Sequence, residues 1–183
     1  MKPAARLCVL ASGSGGNCSV LLSEDGRGRH ATLIDAGLSP RRTRTMLARL
    51  GLSLDDVRDL ILTHLDGDHW YESWAGLLPA HITVRLHRRH LGRAARLGML
   101  TRRTEPFAEN FELDDGVRVA PLLVSHDDLG VAAFRFEGLG GGSLGFATDV
   151  GRATGPLIEH LRGVDVLAIE SNYCPVLQLA SPR

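Results

Sequence analysis

The chain has 183 residues, 44% of them hydrophobic and 23% charged, and its 21 basic and 21 acidic residues leave a formal net charge of zero. That length suits one domain, residues 1–183, with a real core, and a neutral chain has no global field to draw it to nucleic acid or an anionic membrane. No stretch reaches membrane-spanning length, no signal-peptide pattern follows Met1, and three widely spaced cysteines argue against a disulfide framework and fit a reducing cytoplasm.

Arg6–Ala11 reads as a first strand, 12–17 as a tight glycine-rich loop, and Cys18–Leu22 as the returning strand. Such a loop can cradle a phosphate, but no Gly-Lys-Ser/Thr and no helix follows it. A plain hairpin is the better reading. Cys8 and Cys18 fit small core positions. After a turn at 25–30 comes the strand Ala31–Asp35. Ser39 can then cap a helix whose first position suits Pro40, with Met46, Leu47 and Leu50 as its apolar face and Gly51 at its end.

Leu60-Ile61-Leu62 reads as a buried strand, and it runs into Thr63-His64-Leu65-Asp66-Gly67-Asp68-His69-Trp70. Two histidines and two carboxylates within residues 64–69 are too many titratable groups to pack against a core alone. A divalent cation uses all four. The plainer alternative is a polar turn whose histidines face water. Helical character is expected over Trp70–Leu78, closed by Pro79, then a short strand Ile82–Val84 and a helix over His87–Leu97. Residues 85–103 hold seven arginines and no acid. An exposed helix face is the simpler account, and a patch that meets phosphates is the other.

From Phe111 the pattern turns to strands: Phe111–Leu113, Val117–Val124, Val131–Phe136 and Ser143–Thr148, with a hairpin turn at Gly138–Gly142. A helix over Gly155–Leu161 and a strand Val164–Ile169 follow, ending in Glu170-Ser171-Asn172-Tyr173. Ser125-His126 and Asp149 each follow a strand, as the 63–70 loop does. The order predicts an α/β (α+β) fold of two sheets covered by helices, with chemistry at one sheet edge.

The loop at 63–69, the later Ser125-His126 and Thr148-Asp149 resemble the ordered motifs of metallo-β-lactamase-fold hydrolases. Three further stretches, Ala11–Cys18, Leu33–Leu38 and Ile169–Tyr173, resemble the WalJ (YycJ)-like branch, so the likeness covers nearly the whole chain. It implies an αββα sandwich, two mixed β-sheets flanked by helices, around a dinuclear site. His64, Asp66 and His126 would hold one ion, Asp68 and His69 the other, and Asp149 would bridge. Two cations about 3.5–4 Å apart can share a hydroxide, lower its pKa and clamp the attacking and leaving oxygens of a phosphodiester. Asp68 would also orient the attacking water, which makes it the catalytic carboxylate.

The resemblance implies a metal-dependent hydrolase, a phosphodiesterase or exonuclease acting on DNA ends. A small-molecule ester, thioester or cyclic-phosphodiester hydrolase is the alternative within the same chemistry, and a non-catalytic metal-binding domain the alternative outside it. Two departures matter. Asp66 stands where the pattern has histidine, which moves the preferred ions from zinc towards manganese or iron. The final histidine of the pattern, in a Gly-His motif, is not found before Arg183. That implies a C-terminally incomplete copy, a weaker second metal site and a sheet edge left uncovered. Cys174, where many relatives have an acid, reads as a loop position.

Overall fold

The computed structural model describes residues 5–25 and 28–170. The first sheet is built from β1 (Arg6–Ala11), β2 (Cys18–Asp25), β3 (Gly28–Ile34), β4 (Val57–Ile61), β5 (Thr83–His87) and β6 (Thr104–Phe107), which neighbour one another in that order. It is mixed: β1, β2 and β3 pair antiparallel, and β3 through β6 pair parallel. The second sheet contains β7 (Phe111–Glu112), β8 (Arg118–Val124), β9 (Val131–Leu139), β10 (Gly142–Ala147) and β11 (Val166–Ile169), in the order β11-β10-β9-β8-β7. Only its β10–β11 pair is parallel.

Side-chain alternation makes these sheets into a sandwich. Ile34 and Ile61 face inward and pack with Val119, Phe134, Phe136 and Phe146 of the second sheet. Their neighbours Leu33 and Leu60 face outward and join Val20, Val84 and Leu86 against Leu38, Leu47 and Trp74. The outer layer over the first sheet is therefore α1 (Pro40–Arg49) and the segment around Trp74. Ser39 caps α1 by accepting from the Arg42 N–H, and Pro40 opens it. Over the second sheet lies α3 (Gly155–Leu161), whose Leu157 and Leu161 cover Ala133 and Ala147. Burying each such leucine or isoleucine stabilises the fold by roughly 1.5–3 kcal/mol. The layers are helix, sheet, sheet, helix, as the sequence implies.

Several local expectations change. Trp70–Leu78 is not a helix: only Glu72–Trp74 makes a single 3-10 turn. Tertiary ties override its helical pattern, because Trp70 bridges Ala36 and Trp74 Nε1 donates to the Leu38 carbonyl at 2.8 Å. The helix expected over 87–97 is shorter, a 3-10 turn at Arg88–His90 and then α2 (Leu91–Arg96), since His87 still belongs to β5. The strand β6 had no expectation at all; its Pro106 is tolerated because β6 is an edge strand. The second-sheet hairpin is tighter than Gly138–Gly142, with only Gly140 and Gly141 between the strands, both at positive φ (61° and 93°). Two successive left-handed residues match the twist of a two-residue hairpin.

Cys18 is buried, and that burial pushes its thiol pKa up, as fits a core position. Among the described residues β11 is the outer strand of its sheet, with Val166, Leu167 and Ile169 exposed. The expectations for Ser171–Tyr173, Cys174 and the C-terminal end lie outside the described residues. No helix among the described residues is long and apolar enough to cross a membrane.

Candidate metal centre

Four strands end at one place. Asp35 follows β3, Thr63 and His64 follow β4, His126 follows β8, and Asp149 follows β10. The loop after β4 is wound into a turn by the Asp66 carbonyl, which accepts from the N–H groups of His69 and Trp70 at 2.8 Å each. That turn sends His64, Asp66, Asp68 and His69 to the same side.

Five of the six residues named from the sequence form two overlapping triads there, and the sixth, Asp68, lies beside them. His64, Asp66 and His126 present ligand atoms within 4.8 Å of one another, and so do His64, His69 and Asp149. Asp149 Oδ2 lies 2.8 Å from His69 Nε2 and 3.9 Å from His64 Nε2. Asp68 stands just outside both triads, with Oδ2 3.8 Å from His69 Nε2. Asp149 is held at φ 49°, a left-handed conformation uncommon away from glycine.

Two of the three imidazoles, His69 and His64, are oriented from behind. His69 Nδ1 lies 2.8 Å from Asp35 Oδ2, which turns Nε2 towards Asp149. His64 Nδ1 lies 3.0 Å from Thr63 Oγ1, which turns its Nε2 inward. Asp35 also accepts from the Thr63 N–H at 2.8 Å and touches Thr63 Oγ1, all while 1% exposed. A ring nitrogen fixed by a carboxylate on its far side is the usual support for a metal-binding histidine.

The charges of the site favour a cation. Burial favours a neutral His69, yet the Asp35, Asp149 and Asp68 carboxylates outweigh it and push the imidazole up to about 9. His64 moves down, because of burial first and the adjacent His69 second. The carboxylates of the cluster thus draw positive charge to His69, while burial and that neighbour oppose it on His64. A divalent cation would satisfy acids and imidazoles together, and ligand atoms within 4.8 Å of one another in each triad fit such an ion.

The glycine loop is a hairpin, as expected, and it also seals the site. Asn17 Oδ1 accepts from the Gly13 N–H at 2.8 Å, while Nδ2 donates to Asp68 Oδ2 at 3.3 Å and lies 2.8 Å from His69 Nε2. The Asn17 N–H donates to the Asp68 carbonyl at 2.6 Å, and Gly37 N–H donates to the Asn17 carbonyl at 2.9 Å. A Cβ on Gly37 would sit 1.8 Å from the Asp68 carbonyl oxygen, so only glycine allows the three backbones to meet.

The metallo-beta-lactamase superfamily model matches residues 12–167 of this sequence, most of its length. The chain belongs to that superfamily. Solved structures with the same fold include a metallo-beta-lactamase with a HARLDQ motif from Cronobacter sakazakii, at TM-score 0.63 and 20% identity, covering 92% of this chain and 73% of that one. Zn(2+)-bound PqqB from Methylobacterium extorquens gives TM-score 0.69 and 19% identity, covering 90% and 72%. A diphosphatase from the PhnP family gives 0.60 and 21%, covering 89% and 72%. No curated protein matches the chain. At these identities the solved structures speak for the fold.

Within this superfamily site, sequence reasoning missed Asn17, Asp35 and Arg93. Asp35 had a readable signal, an acid closing an apolar strand as Asp149 does. Asn17 had none of its own. The arginine run at 85–103 is not a single exposed face. Arg85 is buried and paired with Asp59 at 2.7 Å and Glu105 at 2.6 Å, Arg89 donates to the Asp128 carbonyl at 2.9 Å, and Arg93 reaches Asp66 at 2.9 Å.

Proposed function

We propose that this superfamily member is a metal-dependent phosphodiesterase of the WalJ (YycJ)-like kind, acting on DNA in the cytoplasm through a dinuclear centre. The observation that carries the reading is the pair of triads sharing His64, with Asp149 lying against both histidines of the second. His64, Asp66 and His126 would hold one divalent ion, Asp68 and His69 the other, and Asp149 would lie between them. Bound there, such ions would polarise a phosphoryl oxygen and lower the pKa of a water. Manganese or iron suits the oxygen-rich set that Asp66 creates, and zinc remains a competent occupant.

The protein's own groups do the rest. Asp68 is about one-third exposed at the rim, and Asn17 Nδ2 donates to its Oδ2. It is therefore aimed but still accessible, and its carboxylate takes the proton of the attacking water. Asp35 and Thr63 keep the two imidazoles turned inward during that transfer. Arg88, Arg89 and Arg96 remain exposed on the 3-10 turn and helix beside the site, where backbone phosphates of a nucleic acid can pair with them.

Turnover tests the reading. With Mn(2+) or Zn(2+) the protein is expected to hydrolyse bis(p-nitrophenyl) phosphate and to shorten linear DNA from its ends. Asp68→Asn is expected to lower kcat about 10²–10⁴-fold, the usual contribution of a positioned general base. Metal-loaded protein that cleaves a thioester and no phosphodiester would replace this reading with the small-molecule one.

A further inference from the structure

Asp66 is where the metal loop departs from the histidine of the superfamily pattern, and its carboxylate faces two ways. Oδ2 turns inward, 3.6 Å from Nε2 of both His64 and His126. Oδ1 turns outward to Arg93 Nη1 at 2.9 Å. The same Nη1 lies 3.7 Å from Asp127 Oδ2, in the loop that carries His126. One guanidinium on α2 therefore ties together two ligand-bearing loops.

Its position is itself fixed. His90, buried at the start of α2, has Nε2 3.0 Å from the Gly130 carbonyl, and Arg89 donates to the Asp128 carbonyl. Asp127 Oδ1 in turn accepts from the N–H groups of Leu129 and Gly130 at 2.8 and 2.7 Å. The 127–130 loop and α2 are thus one unit, and Arg93 projects from it onto Asp66.

Two physical differences separate a carboxylate from the imidazole it replaces. A carboxylate adds a negative charge to the ligand set, and it presents two equivalent oxygens where a neutral imidazole presents one acceptor nitrogen. A guanidinium on the outward oxygen corrects both: it returns the pair to the net charge of a neutral imidazole and pins the inward oxygen. We propose that Arg93 is a positioning residue, and that Asp66 and Arg93 together fill the ligand place that one histidine would fill. The inference rests on the metal-centre reading above and goes beyond it by giving the Asp66 departure its compensating partner.

Zn(2+) affinity, measured by competition with a chelator on the metal-free full chain, tests it in four proteins: the parent, Arg93→Gln, Asp66→His, and the double variant. Arg93→Gln is expected to weaken binding about 10–100-fold in the parent, the usual cost of losing a group that orients a ligand. In the Asp66→His background the same change is expected to cost less than about threefold, because an imidazole needs no such partner. An unchanged affinity in the parent overturns the inference, as does an equal loss in both backgrounds, which would mark general destabilisation. A raised KM for phosphodiester with unchanged zinc affinity would also overturn it, making Arg93 a substrate contact. A parent that binds no zinc refutes the centre itself and this inference with it, an outcome distinct from a zinc-binding parent indifferent to Arg93.

Discussion

Gly37→Ala is expected to destabilise the protein by about 3 kcal/mol or more, at or above the top of the usual range for overpacking. The added Cβ would lie 1.8 Å from the Asp68 carbonyl oxygen and 2.7 Å from the Asn17 backbone nitrogen, and neither obstacle is a flexible side chain. Either the loop after β4 or the hairpin after β1 must move, and both carry groups of the centre. For a chain of this size the loss corresponds to a fall in melting temperature of roughly 6–12 °C. Metal affinity should fall with it, since Asp68 and Asn17 shift together. Gly15→Ala is the matched control: nothing lies within 4 Å of its added Cβ, and an effect within about 0.5 kcal/mol is expected. A Gly37→Ala protein as stable as the Gly15→Ala one would mean the three backbones do not meet as described.

Asp35→Asn is expected to have the second large effect, and it leaves the shape almost untouched. The carboxylate is 1% exposed and accepts on both oxygens, from the Thr63 N–H at 2.8 Å on Oδ1 and from His69 Nδ1 at 2.8 Å on Oδ2. An amide replaces one acceptor with a donor, so either Thr63 or His69 meets a donor where it needs an acceptor. Removing one partner of a buried charged pair costs about 3–5 kcal/mol. The left-handed backbone at Asp35, φ 62°, is not the cause, because asparagine adopts that region readily. With His69 no longer held, metal affinity should drop about 10–100-fold. Denaturant unfolding and chelator competition read the two consequences separately. Stability and affinity both within a factor of about three of the parent would remove Asp35 from its orienting role.

The layered fold was legible because short continuous apolar runs, such as Leu33-Ile34 and Leu60-Ile61-Leu62, mark strands buried on both faces. The gathering of His64, Asp66, Asp68, His69, His126 and Asp149 was legible for a related reason. Each lies just past a strand, and strands of a sandwich bring their ends to common edges. What escaped was set by contacts distant in sequence. Trp70–Leu78 has helical spacing, yet the bridge from Trp70 to Ala36 and the bond from Trp74 to Leu38 hold it in turns. β6 carries a proline that argues against a strand, and only its edge position makes that harmless. The arginines at 85–103 look alike in sequence, whereas the fold buries Arg85 against Asp59 and aims Arg93 at Asp66. Asn17 belongs to a glycine loop whose second task, closing on Asp68, appears only when the 63–70 loop is beside it.

The metal content of the purified chain tests the central claim most directly. After loading with Mn(2+) or Zn(2+) and desalting, the account predicts two equivalents per chain, with at most one retained after Asp149→Ala. One equivalent or none in the parent protein, or a content indifferent to Asp149→Ala, would contradict the dinuclear centre on which the proposed hydrolysis depends.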